Sequence, residues 1–224
     1  MGIKRARTMR SEVVPTLLQE IETQSRYPER DAAVLLLGLT CGMRITEIAS
    51  LRLSDVLTKK GELRSEVPLR ASTTKGGRSR NVYLTNPQTR LALSRYLETL
   101  HRFSGQIGTS QYYRGFNPVA PLIVAKSGKG YRLIRKRRTL VSGEKVEYLA
   151  SDGLQAYVSS LYRKLGMDGF TSHSGRRSFA TQLVQSGEDI ATVQTLLGHV
   201  DIDHVGVYVD VNEASLREAV RKVL

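Results

Sequence analysis

One cysteine, Cys41, no tryptophan and only six prolines stand among 224 residues. A lone thiol excludes a disulfide framework and any cysteine-rich zinc site. No apolar run approaches the roughly 20 residues that a bilayer-spanning helix needs. The opening MGIKRARTMRSEVV carries positive charge but lacks the apolar stretch of a secretory signal. A soluble, cytoplasmic protein without a membrane partner is expected. Several compact motifs are also missing, among them HExxH, a metal-spaced Cys/His cluster, the GxxxxGK[ST] phosphate loop and the GxSxG elbow. Most carboxylates fall on predicted helix surfaces, so a metal-dependent nuclease would lack its ligands. No metal and no cofactor are expected.

Acidic residues are scarce relative to basic ones. Asp and Glu number 21 against 34 Lys and Arg, a formal net charge of +13. Such an excess favours a polyanionic partner, because each neutralised phosphate releases counterions. A merely solvated basic surface and an anionic membrane surface are the alternatives. Hydrophobic residues at 40% and charged residues at 25% give an ordinary globular balance, and the length suffices for a proper core.

Apolar spacing predicts helices over Val13 to Ile21, Asp31 to Thr40 and Ile45 to Leu53. Strands over Leu63 to Leu69 and Ser79 to Leu84 flank Thr74-Lys75-Gly76-Gly77-Arg78, a glycine-rich tip suited to a hairpin. Asn86-Pro87 seeds a helix running to Arg102. The loop-like stretch from Phe103 to Pro121 is a place where a boundary between two halves would fall. A second β region covers Leu122 to Ala125, Tyr131 to Leu140 and Lys145 to Tyr148. Helices are then expected over Ser151 to Leu165, His173 to Gln185, Ile190 to Leu197 and Asn212 to Leu224. The class is α+β, mostly helical, with small antiparallel hairpins.

Singly, the chemistry-bearing patterns are cheap. His173 and Arg176 sit three apart at a predicted helix start, where an anion is favoured. Gly198 ends a helix just before His199. Tyr208 lies in the apolar stretch Val205-Gly206-Val207-Tyr208-Val209, where core packing is the ordinary role. Basic clusters occur at Lys4, Arg5, Arg7 and Arg10, and at Arg132, Arg135, Lys136, Arg137 and Arg138. The second cluster sits in a predicted protruding hairpin and is expected to touch nucleic-acid backbone.

Together these patterns carry more. Gly42-Met43-Arg44-Ile45-Thr46-Glu47-Ile48, Lys75-Gly76-Gly77-Arg78-Ser79-Arg80-Asn81-Val82-Tyr83-Leu84, His173-Ser174-Gly175-Arg176 and Leu197-Gly198-His199 with Tyr208 nine residues on resemble, in order and spacing, the boxes of the tyrosine site-specific recombinases, the integrase family. The resemblance runs from about Ser11 to the C-terminus. It implies a DNA breaking-and-rejoining catalytic domain over residues 1–224 that works without metal or ATP. By similarity, Arg44 and Arg176 clamp the scissile phosphate, Tyr208 attacks it, His173 accepts a proton, His199 donates to the phosphate and Lys75 protonates the departing 5′-hydroxyl. The product is a 3′-phosphotyrosyl link to double-stranded DNA, serving integration, excision or inversion in a mobile element. Arg78, Arg80 and Arg177 are expected as further DNA contacts, and Glu47, one turn beyond Arg44, either orients a member of the site or forms an ordinary surface pair with an arginine.

The sequence also departs from the family pattern. Only 43 residues precede Arg44, so the separate N-terminal DNA-clasping domain is not expected. The chain then resembles a short stand-alone member such as a fimbrial-switch invertase, or a piece of something longer. Gly175 stands where leucine is frequent in the HxxR box, and His204 is an extra histidine near Tyr208. The C-terminal helix is expected to dock on a neighbouring protomer, giving a tetramer on paired sites, with an accessory DNA-bending protein as a further partner. The rival readings are a type IB topoisomerase-like relaxer and a DNA-binding regulator with an idle active site.

Overall fold

A computed structural model describes residues 6–71, 79–103, 111–139, 143 and 145–198. Lys75, Arg78, His199, His204, Tyr208 and the helix expected over Asn212 to Leu224 lie outside the described residues.

The centre of the molecule is α2, Pro28–Cys41, whose run of alanine, valine and leucine is apolar on all sides. A helix of that kind must be surrounded. α1, Val14–Gln24, covers one side with Val14, Leu17 and Ile21. α5, Pro87–Phe103, covers another with a stripe through Ala92, Leu93, Tyr96, Leu97 and Leu100. The Asn86-Pro87 start behaves as its residues dictate: Asn86 Oδ1 accepts from the Thr89 amide at 3.1 Å, and proline occupies the first helical position.

The helix expected over Ile45 to Leu53 is two short ones, α3, Ile45–Ser50, and α4, Leu53–Val56. Tertiary pairing breaks it. Leu51 is extended, its carbonyl accepts from the Leu122 amide at 2.8 Å, and Arg52 bridges Pro121. The same pairing draws the 111–125 stretch into the core, where Phe116, Leu122 and Ile123 are buried among residues from both ends of the chain. The loop after Phe103 therefore does not separate two cores.

Two antiparallel hairpins complete the α+β class expected from the sequence. β1, Glu66–Leu69, pairs with β2, Arg80–Tyr83, setting Val67 opposite Val82 and Leu69 opposite Arg80. β3, Ile134–Thr139, pairs with β4, Lys145–Ala150. Helices α6, Asp152–Lys164, α7, Ser174–Gln185, and α8, Ile190–Leu197, follow. A small second cluster of Ala180, Val193 and Leu197 joins α7 to α8.

The packing that fixes the site is α7 against α2. Gly38 and Gly175 meet where the helices cross. A Cβ added at Gly175 would lie 3.0 Å from the Gly38 carbonyl carbon and 3.2 Å from the Leu39 nitrogen. This explains the glycine in the HxxR box: the helix start gives up helical propensity so that α7 can lie directly on backbone. The approach is asymmetric, since a Cβ at Gly38 would meet only ordinary van der Waals neighbours, 3.5 Å from the Gly175 Cα. Gly38→Ala is therefore expected to be neutral or to stabilise by up to about 1 kcal/mol, and Gly175→Ala to destabilise by about 1–3 kcal/mol through overpacking. Urea unfolding of the two variants beside the parent chain measures both signs.

Candidate active site

Helix α2 ends on Gly42, whose left-handed φ of 61° leaves no space for a side chain, because a Cβ there would meet the Phe179 ring at 2.5 Å. The turn delivers Arg44 in an extended conformation just ahead of α3. Three residues on, Glu47 reaches back, and its carboxylate accepts from the Arg44 amide at 2.7 Å and from Arg44 Nη1 at 3.0 Å. The first bond satisfies an amide that the helix start would otherwise orphan.

Glu47 is fully buried, and a second guanidinium meets it: Arg80 Nη2 lies 2.8 Å from Glu47 Oε2. Arg176 comes from the α7 side. Its Nη1 donates to the Gly42 carbonyl at 2.6 Å and its Nη2 to the Leu197 carbonyl, at the last turn of α8. Burial pushes the Glu47 carboxyl up, but Arg80, Arg176, Arg44 and the Arg44 amide outweigh it and hold Glu47 below the usual carboxylate range. Burial depresses Arg80 from its ordinary value, opposed by Glu47 and reinforced by Arg44. One carboxylate thus faces three guanidiniums. The cluster keeps a positive excess beside Arg44, whose side chain is partly exposed. Such an arrangement attracts an anion with several oxygens.

His173 sits at the position preceding α7 and is exposed, with Ser172 Oγ 3.3 Å from Nδ1. It and Arg176 leave the same helix start, His173 toward solvent and Arg176 into the cluster. Cys41 is buried as expected, its Sγ 3.4 Å from the Tyr83 carbonyl, and burial pushes the thiol up to about 11. That leaves it a packed thiol with little nucleophilic character.

Two residues expected at DNA are turned inward instead. The Arg80 side chain is 7% exposed. Arg177 is buried, and its guanidinium donates to the Ala6 carbonyl, where the chain before α1 runs along α7. That strap is held further by the Met9 amide on Ser178 Oγ at 2.7 Å and by Gln182 Nε2 on the Met9 carbonyl at 3.1 Å. For Arg80 the signal lay in the sequence. In a strand of period two, Arg80 shares the face of Val82, which is buried. Arg177 carried no comparable signal, because its partner is 171 residues away.

The β3–β4 hairpin holds Arg135 and Arg137 at 75% and 79% exposure, both reaching Glu147, and Lys136 pairs with Asp152 at 2.7 Å. These pairs form in water and are weak. Arg138 takes its strand place opposite Val146, with its side chain outside the described residues.

The fold defines a class, since it occurs in solved site-specific recombinases. A crystal structure of XerA recombinase superposes with a TM-score of 0.66 at 20% identity, over 99% of this chain and 65% of that one. XerH recombinase bound to a palindromic difH substrate gives 0.65 at 19% identity, over 96% and 52%. The chain belongs to the phage integrase family, whose model matches residues 7–215. Tyrosine recombinase XerC of Roseiflexus sp. (strain RS-1) is 30% identical over 207 residues, which cover 91% of this chain and 55% of that protein. The chain spans about half the length of the curated relatives it matches.

A depressed Glu47 adds stability above the ordinary glutamate range near 4.3 and loses it as pH falls through the lower folded value. Glu47→Gln is expected to cost about 3–5 kcal/mol at pH 7, because the enclosed Arg80 and Arg176 and the partly exposed Arg44 lose their counter-charge. The gap to the parent chain should narrow as pH falls below the ordinary glutamate range near 4.3, because the unfolded parent then binds a proton that its folded carboxylate resists. Urea midpoints at pH 7 and pH 3.5 check the direction.

Proposed function

We propose that the chain cuts and rejoins double-stranded DNA through Tyr208, as a site-specific tyrosine recombinase. The observation that carries this is the pair Arg44 and Arg176, drawn from elements far apart in sequence to one buried carboxylate and left with an excess of positive charge. A phosphodiester resists nucleophiles because it is already anionic, and its pentavalent transition state places still more charge on the non-bridging oxygens. Guanidiniums fixed beforehand stabilise that charge without reorganising during the reaction. Two carbonyl bonds fix the plane of the Arg176 guanidinium.

The steps follow from the residue types. Tyr208 Oη gives its proton to His173 and bonds to phosphorus. The bond from phosphorus to the 5′-oxygen breaks, and Lys75 supplies the proton that makes the 5′-hydroxyl. His199 donates to a phosphate oxygen. The 3′-phosphotyrosyl link conserves the bond energy, so a second 5′-hydroxyl reverses the sequence onto a new strand without ATP or metal. Exchange between two duplexes calls for several protomers, and the segment 212–224, with Leu216, Val220 and Leu224 at helical spacing, suits docking on a neighbour. Relatives named for the same activity, and the XerH neighbour solved with its DNA substrate, support this reading.

Incubation with nicked, partly randomised duplexes in excess EDTA should give SDS-resistant protein–DNA adducts that Tyr208→Phe abolishes. Arg176→Lys should lower the adduct rate on the order of 100-fold or more, the cost of one missing transition-state donor. Duplex binding without an adduct would leave a binding protein with an idle site.

The exposed β3–β4 cations suit the DNA backbone. Reversing Arg135, Lys136, Arg137 and Arg138 to Glu should flatten the plot of log affinity against log salt by about 0.9 for each phosphate that is no longer neutralised. A slope unchanged from the parent chain would remove the hairpin from the interface.

A further inference from the structure

Arg80 joins several elements around Glu47. It leaves β2 on the buried face, opposite Leu69. Its Nη2 reaches Glu47 Oε2 at 2.8 Å and the Gly42 carbonyl at 3.4 Å, and its Nη1 donates to the Leu196 carbonyl at the end of α8. One side chain on the strand that follows the Lys75 segment thus touches the end of α2, the start of α3 and the end of α8, close before His199. Its Nε is buried with no hydrogen-bond partner among the described residues, a cost accepted for the position.

We infer that Arg80 is a positioning residue rather than a DNA contact: it locks Glu47, and through Glu47 the guanidinium of Arg44, to the end of α8. Its charge is already answered by the Glu47 carboxylate at 2.8 Å, and its Nη atoms are engaged by two carbonyls besides. The lock works through charge as well as geometry. The groups facing Glu47 are Arg44 ahead of α3, Arg80 from β2 and Arg176 from α7, and the Cys41 thiol lies beside Arg80. Without Arg80, burial gains on the remaining cations and Glu47 takes up a proton at a higher pH. Neutral Glu47 holds Arg44 less firmly, so the reacting phosphate loses alignment.

The rate readout rests on the strand-cleavage reading above, and a second readout does not. Arg80→Met should slow adduct formation on nicked duplex on the order of 100-fold, the scale of a small misplacement of catalytic groups, while binding of the same duplex is unchanged. It should also add a second ionisation, that of Glu47, to the acid side of a rate profile on which the His173 base already gives the parent a limb. In isotope-labelled protein without DNA, the Glu47 carboxyl resonance should titrate at higher pH than in the parent. Arg80→Lys keeps a cation for Glu47 but cannot span both carbonyls, so it should slow the reaction about tenfold without the added ionisation.

A fall in duplex binding in step with rate, with the Glu47 titration unmoved, would make Arg80 a phosphate contact. Parent-like rates in both variants would also overturn the inference. If Arg80→Met does not fold, Arg80→Lys decides: slower cleavage with intact binding supports the lock, and full activity refutes it. If the parent chain forms no adduct, the functional reading falls, and the Glu47 titration alone decides for or against the positioning role.

Discussion

A carboxylate buried without compensation would cost several kcal/mol, and the active region is organised around preventing that at Glu47. The compensating charges cannot come from one element. Arg44 is its neighbour on the chain, Arg80 arrives with the first hairpin, and Arg176 arrives with α7 much later in the sequence. The cluster therefore forms only when the first hairpin and α7 have docked on the end of α2. The carboxylate does little for overall stability compared with an apolar replacement of the whole cluster. What it secures is relative position: two guanidiniums of like charge stay near each other because one anion lies between them.

Backbone supplies the rest of that positioning. Arg176 is braced by the carbonyls of Gly42 and Leu197, the ends of two different helices. Both carbonyls belong to residues at helix C-termini, where oxygens lack intrahelical donors and the helix dipole is negative. A guanidinium suits that place, and it ties α7, α2 and α8 through a single group. The bracing requires α7 to lie very close to α2, and the Gly38–Gly175 crossing provides this. The residue that departs from the family pattern in the HxxR box is thus the one that lets the next residue reach its supports.

The sequence was most legible where a local rule had no competitor. The Asn86-Pro87 start, the apolar α2, the stripe of α5 and the α8 helix ending at Gly198 all lie where spacing and caps place them. It was least legible where tertiary pairing overrode local preference. The residues around Leu51 have helical spacing, yet they take extended backbone because the chain near Leu122 pairs with them. The arginines show the same divide. An arginine within a catalytic motif invites a phosphate partner, but Arg80 and Arg177 are enclosed by protein. Strand alternation already marked Arg80 as inward. Nothing local to Arg177 indicates a carbonyl near the N-terminus.

This placement of arginines bears on how the site handles charge without a metal-binding cluster of His, Cys, Asp or Glu among the described residues. A phosphoryl transfer needs positive charge that is close, directed and already in place before the transition state forms. Exposed cations such as Arg135 and Arg137 are close but not directed, since each swings on a long stem in water and pairs weakly with Glu147. Arg176 is directed, because its plane is set by two carbonyls, and Arg44 is directed by the carboxylate that also caps its helix. The costly burial of charge is therefore concentrated around Glu47, where geometry is fixed, and the solvated charge is left on the hairpin, where a cation acts only through its long-range field.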